Sequence, residues 1–112
     1  MSKIVIIGAG AMGTAFATPC LDNNHDTNII GTHLEDDFID QLKKNKRLHP
    51  GLNTSIPEGI NLIKFESLDS ILGSSVDLIV LGISSKGIVW VADQLSNVYK
   101  DKKLPNLLML TK

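Results

Sequence analysis

The sequence has little of what would mark a secreted, membrane or nucleic-acid-binding protein. Its 112 residues include one cysteine, Cys20, so no disulfide can form within the chain and a cytoplasmic location is expected. No apolar run approaches the ~20 residues of a membrane-spanning helix. A strand is predicted to begin at residue 3, which leaves no room for a signal peptide. The formal net charge of −1 gives no electrostatic basis for binding nucleic acid or an anionic membrane.

The sequence also lacks the residue patterns of a metal site and of a serine hydrolase. His25, His33 and His49 are scattered along the chain and show no metal-ligand spacing with Cys20. A nucleophile elbow is lacking as well. We therefore expect no metal site, and we expect Cys20 to be an inert residue of the core.

Apolar runs alternate with segments of helical period, which is typical of βαβ units around a parallel sheet. Strands are predicted at residues 3–7, 27–31, 60–65, 76–81 and 107–110. Aromatic residues make up only 4% of the chain, so the core should consist mainly of Ile, Leu and Val. The expected fold class is α/β, with a doubly wound, mainly parallel sheet in a single domain.

Helices are predicted between these strands. The first places Met12, Phe16 and Cys20 on one face, and Pro19 is expected to kink or shorten it. Residues 43–57 are polar, contain two prolines and are predicted to form a long excursion from the sheet. The other three helices carry their apolar residues at helical spacing: Leu34, Phe38 and Leu42; Leu68, Ile71 and Leu72; and Ile88, Val91, Ala92, Leu95 and Val98.

The motif Gly8-Ala9-Gly10-Ala11-Met12-Gly13 follows the first strand and opens the first helix. In this position it predicts a dinucleotide site of the Rossmann type, and a merely structural turn is the alternative. Gly8 permits the tight turn, Gly10 lets the backbone approach a pyrophosphate, and Gly13 allows the helix to pack closely on the strand. The free N–H groups and the positive dipole end of the helix would face the phosphates.

The residues after the second strand normally decide which dinucleotide such a domain accepts. Here they are Thr32 and His33, neither of which is acidic. Both could donate hydrogen bonds to a 2′-phosphate, so the sequence favours NADP over NAD. Thr32 could also cap the next helix, in a capping box with Glu35. Glu35, Asp36 and Asp37 are expected in the first turn of that helix, where they would complement its dipole.

Two further groups of residues have both a binding and a structural interpretation. Ser84, Ser85 and Gly87 follow the fourth strand and would contact the ribose or nicotinamide, unless a serine only caps the following helix. His49 and the basic residues of the stretch 43–47 would form a phosphate-binding patch. The pattern favours the alternative that they form the solvated end of a helix.

Lys112 ends the chain just after the fifth predicted strand. An ammonium group at the carboxyl edge of a parallel sheet could polarise a carbonyl or hold a phosphate. A solvated terminal lysine is the alternative. Because a loop normally follows such a strand, the sequence predicts a truncated or excised domain, and Trp90 is expected to be half-buried or to face a further domain.

Five segments, in chain order, resemble the NAD(P)-dependent glycerol-3-phosphate dehydrogenases over essentially the whole chain. They are Gly8-Ala9-Gly10-Ala11-Met12-Gly13, Ile30-Gly31-Thr32-His33, His49-Pro50-Gly51-Leu52, Leu81-Gly82-Ile83-Ser84-Ser85 and Leu110-Thr111-Lys112. The first motif is shared with pyrroline-carboxylate and ketopantoate reductases, whereas the later ones are more specific. The likeness is strongest to the archaeal branch, which also has a proline in its first helix.

The resemblance implies that residues 1–112 are the NAD(P)-binding Rossmann domain of an enzyme that interconverts glycerol 3-phosphate and dihydroxyacetone phosphate. Ala11 and Met12 would lie against the cofactor, Thr32 would face the adenosine ribose, and Lys112 would lie near nicotinamide and substrate. Met12 stands where the family commonly has an aromatic residue, so a stacking contact would be lost or softened. The main catalytic lysine and the C-terminal helical domain would lie beyond residue 112, and the full-length protein is expected to be a homodimer.

Two other functions stay open at the level of sequence. One is another two-domain reductase, such as a ketopantoate reductase. The other is a Rossmann module that senses NAD(P)H without catalysis. In the leading interpretation, residues 1–112 alone should bind a dinucleotide but turn over poorly or not at all.

Overall fold

The computed structural model describes residues 2–110, in which seven strands form a five-stranded sheet and a small hairpin. The strands are β1 (Lys3–Ile7), β2 (Asp26–Ile30), β3 (Leu48–His49), β4 (Thr54–Ser55), β5 (Asn61–Ile63), β6 (Leu78–Leu81) and β7 (Asn106–Met109). The helices are α1 (Ala11–Asp22), α2 (Asp36–Lys44), α3 (Leu68–Leu72) and α4 (Ile88–Val98). Short 3₁₀ turns at Phe65–Ser67 and Ser85–Gly87 precede α3 and α4.

The five strands of the main sheet are parallel and lie in the order β5-β2-β1-β6-β7. The chain moves outward from β1 to β2 and β5, then returns to the other side of β1 with β6 and β7. The order therefore reverses between β1 and β6. In such sheets, ligands bind outside the carboxyl ends of the strands at this point. The predicted doubly wound parallel fold is confirmed.

Side chains of β1 alternate between two cores, one on each face of the sheet. Ile4 and Ile6 pack with residues of α1 and α2, whereas Val5 and Ile7 pack with residues of α3 and α4. All four side chains are buried, and the core consists mainly of Ile, Leu and Val, as expected. Burial on both faces is the reason that this strand is a continuous β-branched run.

The predicted strands all form, and their ends differ from the predicted ones by no more than two residues. β7 is an edge strand, and each of its four residues is exposed. Within residues 2–110, none of the helices is both long and apolar enough to cross a bilayer.

The buried face of α1 matches the predicted one in part, since Cys20 lies in the core as expected and the half-buried Phe16 packs against it, but Met12 does not. Gly13, Ala17 and Cys20 face the core, whereas Met12 is 44% exposed. Pro19 lies in the last turn and does not shorten the helix, which continues to Asp22. Proline removes the N–H that would bond to the carbonyl four residues earlier. Here Pro19 and Ala15 are both on the exposed side of the helix, where water can reach that carbonyl.

The second helix begins later than the capping box predicts. α2 starts at Asp36, so Leu34 lies outside it and is 82% exposed. Half of the box forms, because a carboxylate oxygen of Glu35 accepts a hydrogen bond from the Thr32 N–H at 2.9 Å. The Thr32 hydroxyl instead accepts from the Leu34 N–H at 3.4 Å, so it does not cap α2.

The predicted excursion contains the antiparallel hairpin β3–β4. Lys43, Lys44 and Lys46 are exposed, as a solvated helix end predicts. The same prediction is wrong for His49, which is buried, and for the half-buried Arg47. The Arg47 guanidinium donates hydrogen bonds to backbone carbonyls of residues 56, 57 and 60, and its burial lowers the pKa of Arg47. These residues do not form one patch, because Arg47 binds backbone carbonyls beside the hairpin and His49 is buried apart from the exposed lysines.

Candidate functional site

An open cleft of about 650 Å³ lies at the carboxyl edge of the sheet, where the strand order reverses. Six of the residues that the sequence nominates line it: Gly8, Gly10, Thr32, His33, Ser84 and Gly87. They come from three separate segments of the chain, at the ends of β1, β2 and β6. The fold therefore brings together residues that lie up to 79 positions apart in the sequence.

The three motif glycines occupy different environments. Gly8 has a φ of +111°, and a Cβ there would lie 2.4 Å from the backbone oxygen of Gly82. A Cβ on Gly13 would lie 3.0 Å from the backbone oxygen of Gly8. A Cβ on Gly10 would meet no atom within 4 Å. Gly8 and Gly13 are thus required by the packing of the protein itself, whereas the space beside Gly10 is open to the cleft.

The N-terminus of α1 opens into this region without a side-chain cap. Gly10 is its N-cap residue, and the first N–H groups of a helix have no partner within the helix. A second cleft, of about 350 Å³, adjoins this end and is lined by Gly10, Ala11, Met12, Ser84 and others. Ala9, which lies between the two glycines of the turn, is fully buried. Backbone donors and a positive dipole end therefore face a space that could hold an anionic group.

A carboxylate that the sequence interpretation assigned to the helix dipole lies instead at this cleft. Glu35 lines it, and its Oε1 accepts hydrogen bonds from the backbone N–H groups of Thr32 at 2.9 Å and Ala9 at 3.2 Å. Glu35 thereby links the end of β2 to the glycine-rich turn. The predicted capping box indicated the contact with Thr32, because that motif aims the carboxylate back along the chain, whereas no local pattern indicated the contact with Ala9.

Three aromatic rings form a cluster beside the end of β2. The ring centroid of His33 lies 4.7 Å from that of Trp90 and 6.0 Å from that of Phe65. The centroids of the Phe65 and Trp90 rings are 5.5 Å apart. His33 and Trp90 both line the cleft. Trp90 is half-buried on its helix, as predicted, and its ring packs against a residue of the candidate site. The His33 and Trp90 rings, tilted by 35° to each other, give this end of the cleft an aromatic lining against which an aromatic ligand could pack.

The segment after β6 forms the opposite side of the cleft. Ser84 is exposed and lines both clefts, and its backbone oxygen accepts the Gly87 N–H at 2.9 Å. The N-cap of α4 is Gly87, which has no side-chain hydrogen bond, so Ser84 does not cap this helix. Lys112, the remaining nominated residue, lies outside the described residues. In the part of the chain from 2 to 110, no group of three or more His, Cys, Asp or Glu side chains could hold a metal ion.

Comparison with known proteins agrees with this arrangement. A family model described as the N-terminus of NAD-dependent glycerol-3-phosphate dehydrogenase matches residues 3–112. The NADP(+)-dependent glycerol-3-phosphate dehydrogenase of Archaeoglobus fulgidus is 28% identical over 99 residues, which is 88% of this chain and 29% of that protein. A glycerol-3-phosphate dehydrogenase (NAD(P)+) of Bacillus cytotoxicus is 35% identical over 99 residues, which is 88% of this chain and 28% of that protein. The chain thus spans less than a third of the length of these relatives.

Two solved structures share the fold. A crystal structure of glycerol-3-phosphate dehydrogenase from Coxiella burnetii matches 99% of this chain and 32% of its own, with a TM-score of 0.77 and 21% identity. A Rex-family repressor matches 100% of this chain and 53% of its own, with a TM-score of 0.61 and 16% identity. At these identities the two likenesses bear on the fold alone.

Proposed function

The chain belongs to the family of NAD-dependent glycerol-3-phosphate dehydrogenase N-terminal domains, and from this membership we propose that residues 1–112 form the NAD(P)-binding domain of such an enzyme. The whole protein would interconvert sn-glycerol 3-phosphate and dihydroxyacetone phosphate. One observation carries the proposal: at Gly10 a side chain would meet no protein atom within 4 Å, so the absence of a side chain leaves room for a ligand.

The residues present fit a dinucleotide. Gly10 and the uncapped N-terminus of α1 would hold the diphosphate, because both offer backbone N–H groups to an anion. Thr32 and His33 would face the adenosine ribose, and the rings of His33 and Trp90 would pack against the adenine. Ala11, Met12 and Ser84 line the adjoining cleft and would contact the nicotinamide half.

When bound, the nicotinamide supplies or accepts the hydride, and the protein contributes binding, orientation and electrostatics. Lys112 is proposed to contact the substrate or nicotinamide, while the main catalytic lysine belongs to the remainder of the enzyme. A small phosphorylated substrate, a homodimeric full-length protein and a cytoplasmic location, with no nucleic-acid or membrane partner, complete the proposal.

Cofactor preference depends on two opposing features of the cleft. Thr32 and His33 are not acidic, which favours NADP, and the Archaeoglobus relative carries NADP(+) in its name. The Glu35 carboxylate, held at the Thr32 N–H, would repel a 2′-phosphate and so disfavours NADP. We propose that the site accepts NADP through Thr32 and His33, and that Glu35 limits the preference.

Replacing Glu35 by glutamine should therefore shift binding toward NADPH. The amide keeps an oxygen that can accept the Thr32 N–H but removes the negative charge. The ratio of the NADH to the NADPH dissociation constant should rise about tenfold, which corresponds to about 1.4 kcal/mol. Calorimetric titration of the parent and variant with each dinucleotide measures this ratio.

Asp37→Asn is the matched control for the Glu35 variant, because it removes one charge from the exposed first turn of the same helix. It should leave the ratio within about twofold of the parent, since isolated exposed charges are screened by salt. Equal ratios in the two variants would show that Glu35 does not influence the choice of dinucleotide.

Activity of the full-length protein that contains this chain tests the reaction itself. We expect dihydroxyacetone phosphate to drive oxidation of NAD(P)H, and residues 1–112 alone to bind the dinucleotide without turnover. Activity only with ketopantoate would assign the runner-up reductase. Dinucleotide binding without any turnover by the full-length protein would favour a sensing module.

A further inference from the structure

His49 is the most deeply buried ionisable side chain near the glycine-rich turn, although the catalytic proposal gives it no role. It lies on β3 and is 3% exposed. Its Nδ1 accepts a hydrogen bond from the Gly51 N–H at 3.0 Å, so the ring proton is on Nε2. Nε2 then donates to the backbone oxygen of Ala9 at 2.8 Å. Both ring nitrogens have a hydrogen-bond partner, and Nε2 holds the Ala9–Gly10 peptide of the Gly8–Gly13 motif.

The Ala9 carbonyl determines where the Gly10 N–H points. In a trans peptide the C=O and N–H are coplanar and point in opposite directions, and the described chain has no cis peptide. The Ala9 carbonyl is turned inward, because it accepts from His49 and, at 3.3 Å, from the Thr14 hydroxyl. The Gly10 N–H is therefore directed away from these buried groups, on the side where Gly10 lines the cleft.

The hairpin that carries His49 is fixed against the turn. Arg47 binds carbonyls at the base of the hairpin, and the ring of Phe38 meets the imidazole edge to face at 5.3 Å. Gly51 allows the close approach, since a Cβ there would lie 3.2 Å from the Cβ of Ala11. His49 thus reaches the turn from a hairpin that lies 40 residues away in the sequence and is held by these contacts.

We propose that His49 is a positioning residue, which holds the Ala9–Gly10 peptide so that the Gly10 N–H faces the diphosphate of a bound dinucleotide. The inference rests on the proposed function of the cleft and adds to it the hairpin residues 47–55 as a support for the phosphate site. His49 itself touches no ligand in this arrangement.

Two substitutions separate the two hydrogen bonds of His49. In His49→Gln, the side-chain amide nitrogen is separated from Cβ by the same number of bonds as Nε2 of the histidine ring. The hydrogen bond to the Ala9 oxygen can therefore be kept, while the hydrogen bond from the Gly51 N–H is lost. In His49→Asn, the shorter side chain can still accept from Gly51 but cannot reach Ala9. NADH and NADPH dissociation constants are measured by calorimetry, and urea unfolding gives the folded fraction by which each is corrected.

The positioning role predicts that the glutamine variant binds within about threefold of the parent, whereas the asparagine variant binds at least about tenfold more weakly while folded. A purely structural His49 would lower the stability of both variants without separating their corrected affinities. Equal affinities in the two variants would overturn the proposal. If the parent chain bound neither dinucleotide, the proposed function would fail instead.

A measurement on the parent chain covers the case in which the asparagine variant does not fold. Long-range ¹H–¹⁵N correlation spectra distinguish the two neutral histidine tautomers. We expect the proton of His49 on Nε2, with dinucleotide binding shifting the Gly10 amide resonance strongly. A proton on Nδ1, or a Gly10 amide that saturating NADH does not move, would refute the positioning role.

Discussion

Replacing Gly10 by alanine is expected to weaken NAD(P)H binding by at least about 100-fold, or about 2.7 kcal/mol, while the chain stays folded. The backbone at Gly10 has φ −69° and ψ 173°, which alanine adopts without strain. The added methyl group meets no protein atom within 4 Å. The free energy of unfolding should therefore stay within about 0.5 kcal/mol of the parent value, or rise slightly. The methyl group would instead occupy the space through which a diphosphate approaches the backbone.

Fluorescence of the single tryptophan gives a direct measurement of this effect, since Trp90 lines the cleft. Gly73→Ala is the matched control, because it adds the same group at the end of α3, away from both clefts, on a backbone of φ −72° and ψ −17° that alanine also adopts. This control should lose much less affinity than the Gly10 variant. If the Gly10 variant bound NADH and NADPH as tightly as the parent, the diphosphate would not lie at this turn.

The strands were predictable because each is specified by a short local pattern. Residues 4–7 are a continuous β-branched run, and burial on both faces of a parallel sheet permits no polar alternation. Gly8, Gly10 and Gly13 were predictable for a similar reason, since the spacing of three glycines from the end of a strand into the first turn of a helix reflects local backbone geometry. The site could be located from these patterns because parallel strands end at a common edge.

Contacts between residues that are far apart in the sequence were not predicted. Glu35 was expected to complement a helix dipole, but its carboxylate also accepts a hydrogen bond from the Ala9 N–H, 26 positions earlier in the chain. His49 follows several lysines and so looked solvated. Its burial depends on a hairpin that begins with Lys46 and Arg47 at positive φ, which no local propensity indicates. Tertiary contacts, rather than propensity, decided both positions.

Gly8→Ala is expected to lower the free energy of unfolding by about 3–5 kcal/mol, a large share of the stability of a domain of this size. Two effects act together. A φ of +111° is strained for any residue with a Cβ, which costs about 1–3 kcal/mol. The Cβ would also lie 2.4 Å from the backbone oxygen of Gly82. Gly82 cannot move away freely, because its N–H donates to the Ile7 oxygen at 2.9 Å and so extends the β1–β6 pairing.

Urea unfolding of the Gly8 and Gly10 variants side by side tests this division of roles between two glycines of one motif. The Gly8 variant should unfold at much lower urea concentration, or fail to accumulate as folded protein, whereas the Gly10 variant should unfold like the parent. Excess NADH should raise the midpoint for the parent but not for the Gly10 variant, since only a ligand that binds the folded state stabilises it. Parent-like stability of the Gly8 variant would mean that β1 and β6 can separate at this end. The cleft would then lack the rigid floor on which Gly10 and the N-terminus of α1 depend.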